Sequence, residues 1–197
     1  MRFKIKATLL ALIAVCALTG TAAASASAHE FIASNAGALS GRAETGTPEL
    51  ALTGSGGSYH VTCDGGTVTG KAKAGSQATL IETVQDEECS FIGWTVKPTP
   101  MELELNANGT VKLLNTVKFE NKAIKCAWSI SPVTSPSTVT FTDNLESFNA
   151  NFSGVELPVE ETGEGNLCLG KGKQTGKLTT SLTAKLGTAK GETIQWK

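Results

Sequence analysis

The chain has 197 residues, of which 40% are hydrophobic, 6% aromatic and 18% charged, with 17 Lys and Arg against 18 Asp and Glu. That balance gives no basic surface for neutralising phosphates, so no nucleic-acid partner is expected. The length suits one ordinary domain, and so few aromatics argue against a broad aromatic binding platform.

The first segment reads as a leader. Arg2, Lys4 and Lys6 form a short basic region, an apolar run extends from Ala7 to about Leu18, and Ala26-Ser27-Ala28 has the A-x-A form of a signal peptidase site. The run is too short for a permanent membrane span, so residues 1–28 are expected to be cleaved off, with cleavage after Ala24 as the competitor. Cys16 follows Val15 instead of a small residue, and apolar character continues beyond it, so it reads as a hydrophobe of the leader and not as a lipidation site. Residues 29–197 then form a single domain with 14 Lys and Arg against 18 Asp and Glu. No second apolar stretch is long enough to cross a bilayer. No transmembrane anchor is expected, and the product reads as secreted or extracellular, or as held at the envelope by association.

Along residues 29–197, alternation dominates over helical spacing. In SYHVTCDGG, residues 58–66, a tyrosine, a histidine, a cysteine and an aspartate crowd together. On a strand, Tyr59, Val61 and Cys63 share one face and His60, Thr62 and Asp64 the other. His60 and Cys63 therefore point apart, and His60 and Asp64 lie about 13 Å apart along an extended strand. The stretch reads as a strand end with a disulfide half and a turn, not as a catalytic cluster. QATLIETVQDEE, residues 77–88, has neither a clear apolar stripe nor a clean alternation; it reads as a strand running into an acidic turn before Cys89. Trp94 lies between Gly93 and Thr95, with the core as its default place. MELEL puts Met101, Leu103 and Leu105 on one face, and Val111 and Leu113 continue after the turn-like NANG, residues 106–109. Ile124, Cys126, Trp128 and Ile130 share a face, with Trp128 in the core, and Val139 and Phe141 share another.

SPVTSPS, residues 131–137, reads as a Pro/Ser-rich connector, and the adjacent carboxylates Glu87–Glu88 and Glu160–Glu161 as solvated turns. GKGK, residues 170–173, lacks the frame of a phosphate-binding loop. Leu178, Leu182, Ala184 and Leu186 share one parity, and Ile194 with Trp196 suggests a final edge strand. GSGG, DGG, NANG and GEGN supply tight turns between these segments. The pattern is that of an all-β antiparallel sandwich or open barrel.

Four cysteines remain after processing: Cys63, Cys89, Cys126 and Cys168. An even set in a modest exported domain reads as two disulfides, with three connectivities open. Sequential pairing is favoured, and each loop closed in that way contributes roughly 3–4 kcal/mol in chain-entropy terms. A zinc site would use closely spaced ligand pairs, and no C-x-x-C occurs. No cofactor or metal is expected.

FIAS, a following LSG, a cysteine trailed by TVTG, a second cysteine before FIG, and GTV followed by IKCAWSI span residues 31–130. In these motifs the chain resembles a group of uncharacterised, secreted, Thr/Gly-rich, cysteine-containing β proteins of soil actinobacteria. The resemblance implies an exported, cysteine-stapled β architecture and carries over no catalytic residue. After Ser131 the group's pattern calls for further closely spaced cysteines, where this chain has Cys168 alone.

With stapling visible and no reactive constellation, the expected function is a non-catalytic extracellular or envelope-associated module. Its partner would be a cell-wall or extracellular polysaccharide, or another envelope protein. Trp94 and Trp196 are the candidate ligand contacts. The alternative is a secreted hydrolase whose site assembles from dispersed residues.

Overall fold

A computed structural model of the chain describes residues 29–44, 49–54, 57–135, 139–144, 146–163, 168, 172–187 and 191–197. The expected leader lies outside the described residues. Among those residues there are eighteen strands and no helix. Strands β1 (Phe31–Ala33), β2 (Gly37–Ala43), β3 (Glu49–Gly54), β4 (Gly57–Cys63), β5 (Gly66–Ala72) and β6 (Gly75–Gln77) open the fold. Next come β7 (Thr79–Asp86), β8 (Cys89–Phe91), β9 (Trp94–Val96), β10 (Met101–Asn106), β11 (Val111–Leu113) and β12 (Val117–Asn121). The last six are β13 (Cys126–Ile130), β14 (Val133–Ser135), β15 (Val139–Asn144), β16 (Ser147–Gly163), β17 (Gly172–Leu186) and β18 (Ile194–Trp196).

The two longest strands, β16 and β17, pair antiparallel and form the spine, with a bulge between Phe152 and Val155. Each offers its outer edge to two short strands in succession. Along β17, β3 occupies Thr175–Thr179 and β2 occupies Leu182–Leu186. Along β16, β15 pairs with the first half and β13 with Val159–Gly163. From β3 the ladder continues through β4 and β8 to β9, and from β2 through β5, β7, β10 and β11 to β14. A separate three-stranded sheet, β18-β1-β6, joins the beginning of the described fold to its end. Every ladder is antiparallel, in keeping with short segments joined by tight turns.

Alternation explains the burial. Leu103, Leu105, Val111 and Leu113 are buried, while Glu102 and Glu104 are not. Leu178, Leu182, Ala184 and Leu186 line the inner face of β17, with Thr180 at the position between Leu178 and Leu182. The buried apolar residues form one continuous core. Close strand approach sets one glycine: a Cβ on Gly41 would sit 1.7 Å from the Thr183 carbonyl oxygen, so β2 can approach β17 only without a side chain there.

One segment differs from the sequence expectation, while the strand expected over residues 77–88 forms as β7. SPVTSPS is not merely a connector, because Val133–Ser135 pairs with β11. In β7, the positions that share the inward face are Leu80, Glu82, Val84 and Asp86. Two of the four are carboxylates, which is why no apolar alternation is visible there.

Both disulfides form in sequence order. Cys63 and Cys89 are directly opposed in the β4–β8 ladder, and Cys126 on β13 bonds Cys168. Two aromatic groups fill the interior. Trp128 packs edge-on to Phe91 at 4.6 Å, and Tyr59 meets Phe91 at 5.9 Å. Phe31 meets Phe141 and Phe148 at 5.1 and 5.2 Å beside the small sheet.

Candidate functional site

The stretch Tyr59–Gly66 behaves as structure. Tyr59 leans on Phe91, Val61 and Cys63 are buried, and His60 points outward to bond Glu49 on the neighbouring strand. Asp64 and Gly65 lie in the bend: the Asp64 amide donates to the Glu88 carbonyl (2.8 Å), and the Glu87 amide donates to the Gly65 carbonyl (3.0 Å).

The residues that present chemistry outward lie one hairpin away. β8 and β9 pair Phe91 with Trp94 and are joined by Ile92-Gly93 alone. Both turn residues have positive φ, 49° and 76°, as a two-residue type I′ turn requires. Glycine adopts that conformation freely, whereas a β-branched residue does so at a cost of order 1–3 kcal/mol. Ile92 is nonetheless held there, 48% exposed, and Trp94 beside it is 45% exposed. The core is therefore not the place of Trp94. Trp94 pairs with an inward phenylalanine, and β9 is the last strand of its ladder. At the base of the same hairpin, the Cys63–Cys89 bond fixes β8 to β4.

Trp196 is placed differently. It is half-buried against the core, stacked on His29 (4.3 Å) and packed against Phe141 (5.7 Å), and its Nε1 donates to the Ala107 carbonyl (2.9 Å). These contacts make it a closing residue of the small sheet. The two candidate tryptophans do not form one surface.

Three buried carboxylates escaped the sequence reading. Glu82 is 1% exposed with neither oxygen partnered, and burial lifts its carboxyl from 4.5 to about 8. Asp86 is 7% exposed with Oδ1 unpartnered, and burial lifts it from 3.8 to about 6. Glu161 is not in a solvated turn: it lies in β16, 1% exposed, and accepts a bond from Gln174 Nε2 (2.6 Å). Glu160 beside it faces outward, so the adjacent pair splits across the two faces of the strand.

Each disulfide has one of these carboxylates at its side. Donor atoms of Cys63, Asp86 and Cys89 lie within 4.8 Å of one another, and so do those of Cys126, Glu161 and Cys168. The only sequence trace of the first grouping is the spacing of Asp86 and Cys89, three apart across a turn; the second comes from strand register alone. A cavity of about 30 Å³ opens beside the first grouping, walled mainly by leucine and valine, with Asp86 and Thr180 as its polar residues. Thr180 Oγ1 is buried and unpartnered.

No helix among the described residues is long and apolar enough to cross a membrane. Comparison with protein-family models, with curated proteins and with solved structures finds no match to this chain.

Proposed function

We propose that this protein is a non-catalytic extracellular or envelope-associated β module that binds a polymeric ligand through the tip of the β8–β9 hairpin. The observation that carries this reading is the pairing of exposed Ile92 and Trp94 on a turn held against its conformational preference and anchored by a disulfide. Strain and exposed apolar surface each cost stability, and together they point to use. An indole on a rigid hairpin presents a flat face at little entropic cost, which suits stacking on the ring of a sugar. Cell-wall or extracellular polysaccharide is the favoured ligand class, with an envelope protein as the other partner that such a tip would engage. The two disulfides and the signal-like residues 1–28 support an oxidising destination. The resemblance to secreted actinobacterial β proteins agrees with it.

The hydrolase alternative draws no support from the buried acids. Glu82 and Asp86 face the core of the sheet, where a polymer cannot reach them.

Titration of the oxidised protein with purified cell-wall and plant polysaccharides, followed by tryptophan fluorescence, tests the reading. Saturable binding is expected, weakened at least tenfold by Trp94→Ala and little changed by His60→Ala on the neighbouring strand. Release of sugar products from the same panel, or binding indifferent to Trp94, would overturn it.

A further inference from the structure

Burying a carboxylate oxygen without a partner is costly, and Asp86 does so beside two sulfurs. The local backbone explains how they meet. Residues 63–66 and 86–89 run side by side, tied by the Asp64–Glu88 and Glu87–Gly65 hydrogen bonds, so that Cys63, Asp86 and Cys89 converge from two four-residue segments. Gly66 keeps the space open: a Cβ there would stand 3.0 Å from Asp86 Oδ1. The other disulfide has a carboxylate too, but Glu161 is already engaged by Gln174. The Cys63 group is the one with an uncommitted oxygen.

We propose that the reduced form of this protein carries a zinc site at Cys63, Cys89 and Asp86, which the disulfide occupies in the oxidised form. Two thiolates and a carboxylate are a zinc donor set, with zinc–sulfur distances of about 2.3 Å and zinc–oxygen distances of about 2.0–2.2 Å. Donors already gathered within 4.8 Å need only the separation of the two sulfurs to surround an ion. A fourth ligand is available from the adjoining cavity, whose 30 Å³ is room for at least one water. Thr180 Oγ1 on its wall can take up that water's hydrogen bond, as outer partners of metal ligands do. The chemistry balances in two steps. A phosphine reductant and one water convert the disulfide to two thiols and a phosphine oxide. Zinc then displaces the two thiol protons, and the carboxyl proton where it is present, to solvent. The ion and the disulfide exclude each other, so zinc on a newly made chain would shield this pair from oxidation until the metal is removed.

The test uses the protein with both disulfides reduced by phosphine and freed of reductant without air, with cobalt and zinc as probes. Cobalt should give the thiolate-to-metal absorption band and the strong visible bands of a tetrahedral site, and zinc should abolish both. Asp86→Asn should weaken binding at least tenfold while its oxidised form keeps the wild-type circular dichroism spectrum. Alkylation with peptide mapping then locates the ion: zinc should protect Cys63 and Cys89, and Cys126 with Cys168 less. If reduction loosens the fold, zinc should restore the wild-type tryptophan emission, because binding to a site made by folding stabilises the fold. Absence of cobalt bands, protection confined to Cys126 and Cys168, or identical affinity in Asp86→Asn would each overturn the proposal.

Discussion

Glu82 is a costly side chain in the core, buried with neither carboxyl oxygen partnered. Its carboxyl is buried on the inward face of β7, beside Gly70 on β5, where a Cβ would stand 3.3 Å from Glu82 Cγ. With no partner it stays protonated in the folded protein to about pH 8, whereas in the unfolded chain it ionises near 4.5. Between those values the unfolded state holds fewer protons, so stability falls as pH rises through the window and is level on either side. The slope approaches a tenfold change in the folding equilibrium per pH unit. Asp86 completes its own change by about pH 6, which leaves the interval from 6 to 8 to Glu82. We expect the urea midpoint of the oxidised protein to drop across that interval and the Glu82→Met profile to be flatter. At pH 8 the variant should be more stable by about 1–3 kcal/mol, the cost of an unsatisfied buried polar group. A Glu82→Met variant less stable than wild type at pH 8 would assign the carboxyl a partner that neutral packing cannot replace.

At the scale of elements, the β8–β9 hairpin sets stability against use. Asparagine tolerates the left-handed region that isoleucine resists, and Asn-Gly is the favoured pair for a type I′ turn. Ile92→Asn should therefore raise the stability of the oxidised protein by about 1 kcal/mol in urea denaturation and weaken polysaccharide binding. An unchanged midpoint would mean that the turn imposes no cost on Ile92. The strain was not legible in FIGW, because sequence shows a tight turn at Gly93 but not which φ its neighbour takes. Strands with apolar inward positions, such as Leu103–Leu105 and Leu178–Leu186, were readable by parity alone. β7 was readable as a strand but without a clean alternation, because Glu82 and Asp86 occupy inward positions, and β14 hid because prolines and serines flank its three residues. Disulfide pairing was legible through count and order. The grouping of each disulfide with a carboxylate left no trace beyond the Asp86–Cys89 spacing, since strand register brings the remaining atoms together.

On the scale of the whole molecule, two covalent staples bind a fold whose contacts are mostly long-range. The Cys63–Cys89 and Cys126–Cys168 bonds join residues 26 and 42 apart, and each should contribute roughly 3–4 kcal/mol by restricting the unfolded chain. For the native exported product we expect the intact mass of residues 29–197 less four hydrogens, and no thiol titratable after unfolding without reductant. Retention of residues 1–28 would end the export reading, and two free thiols would break the pairing. The small sheet carries a further consequence, one of timing. Phe31 takes its place against Trp196, and Ser34 Oγ accepts from the amide of Thr193, 159 residues further on. During synthesis, Phe31 cannot seal its aromatic pocket until Ile194–Trp196 arrives. Phe31 must wait in the open while everything between is delivered, and such distant pairing makes closure slow.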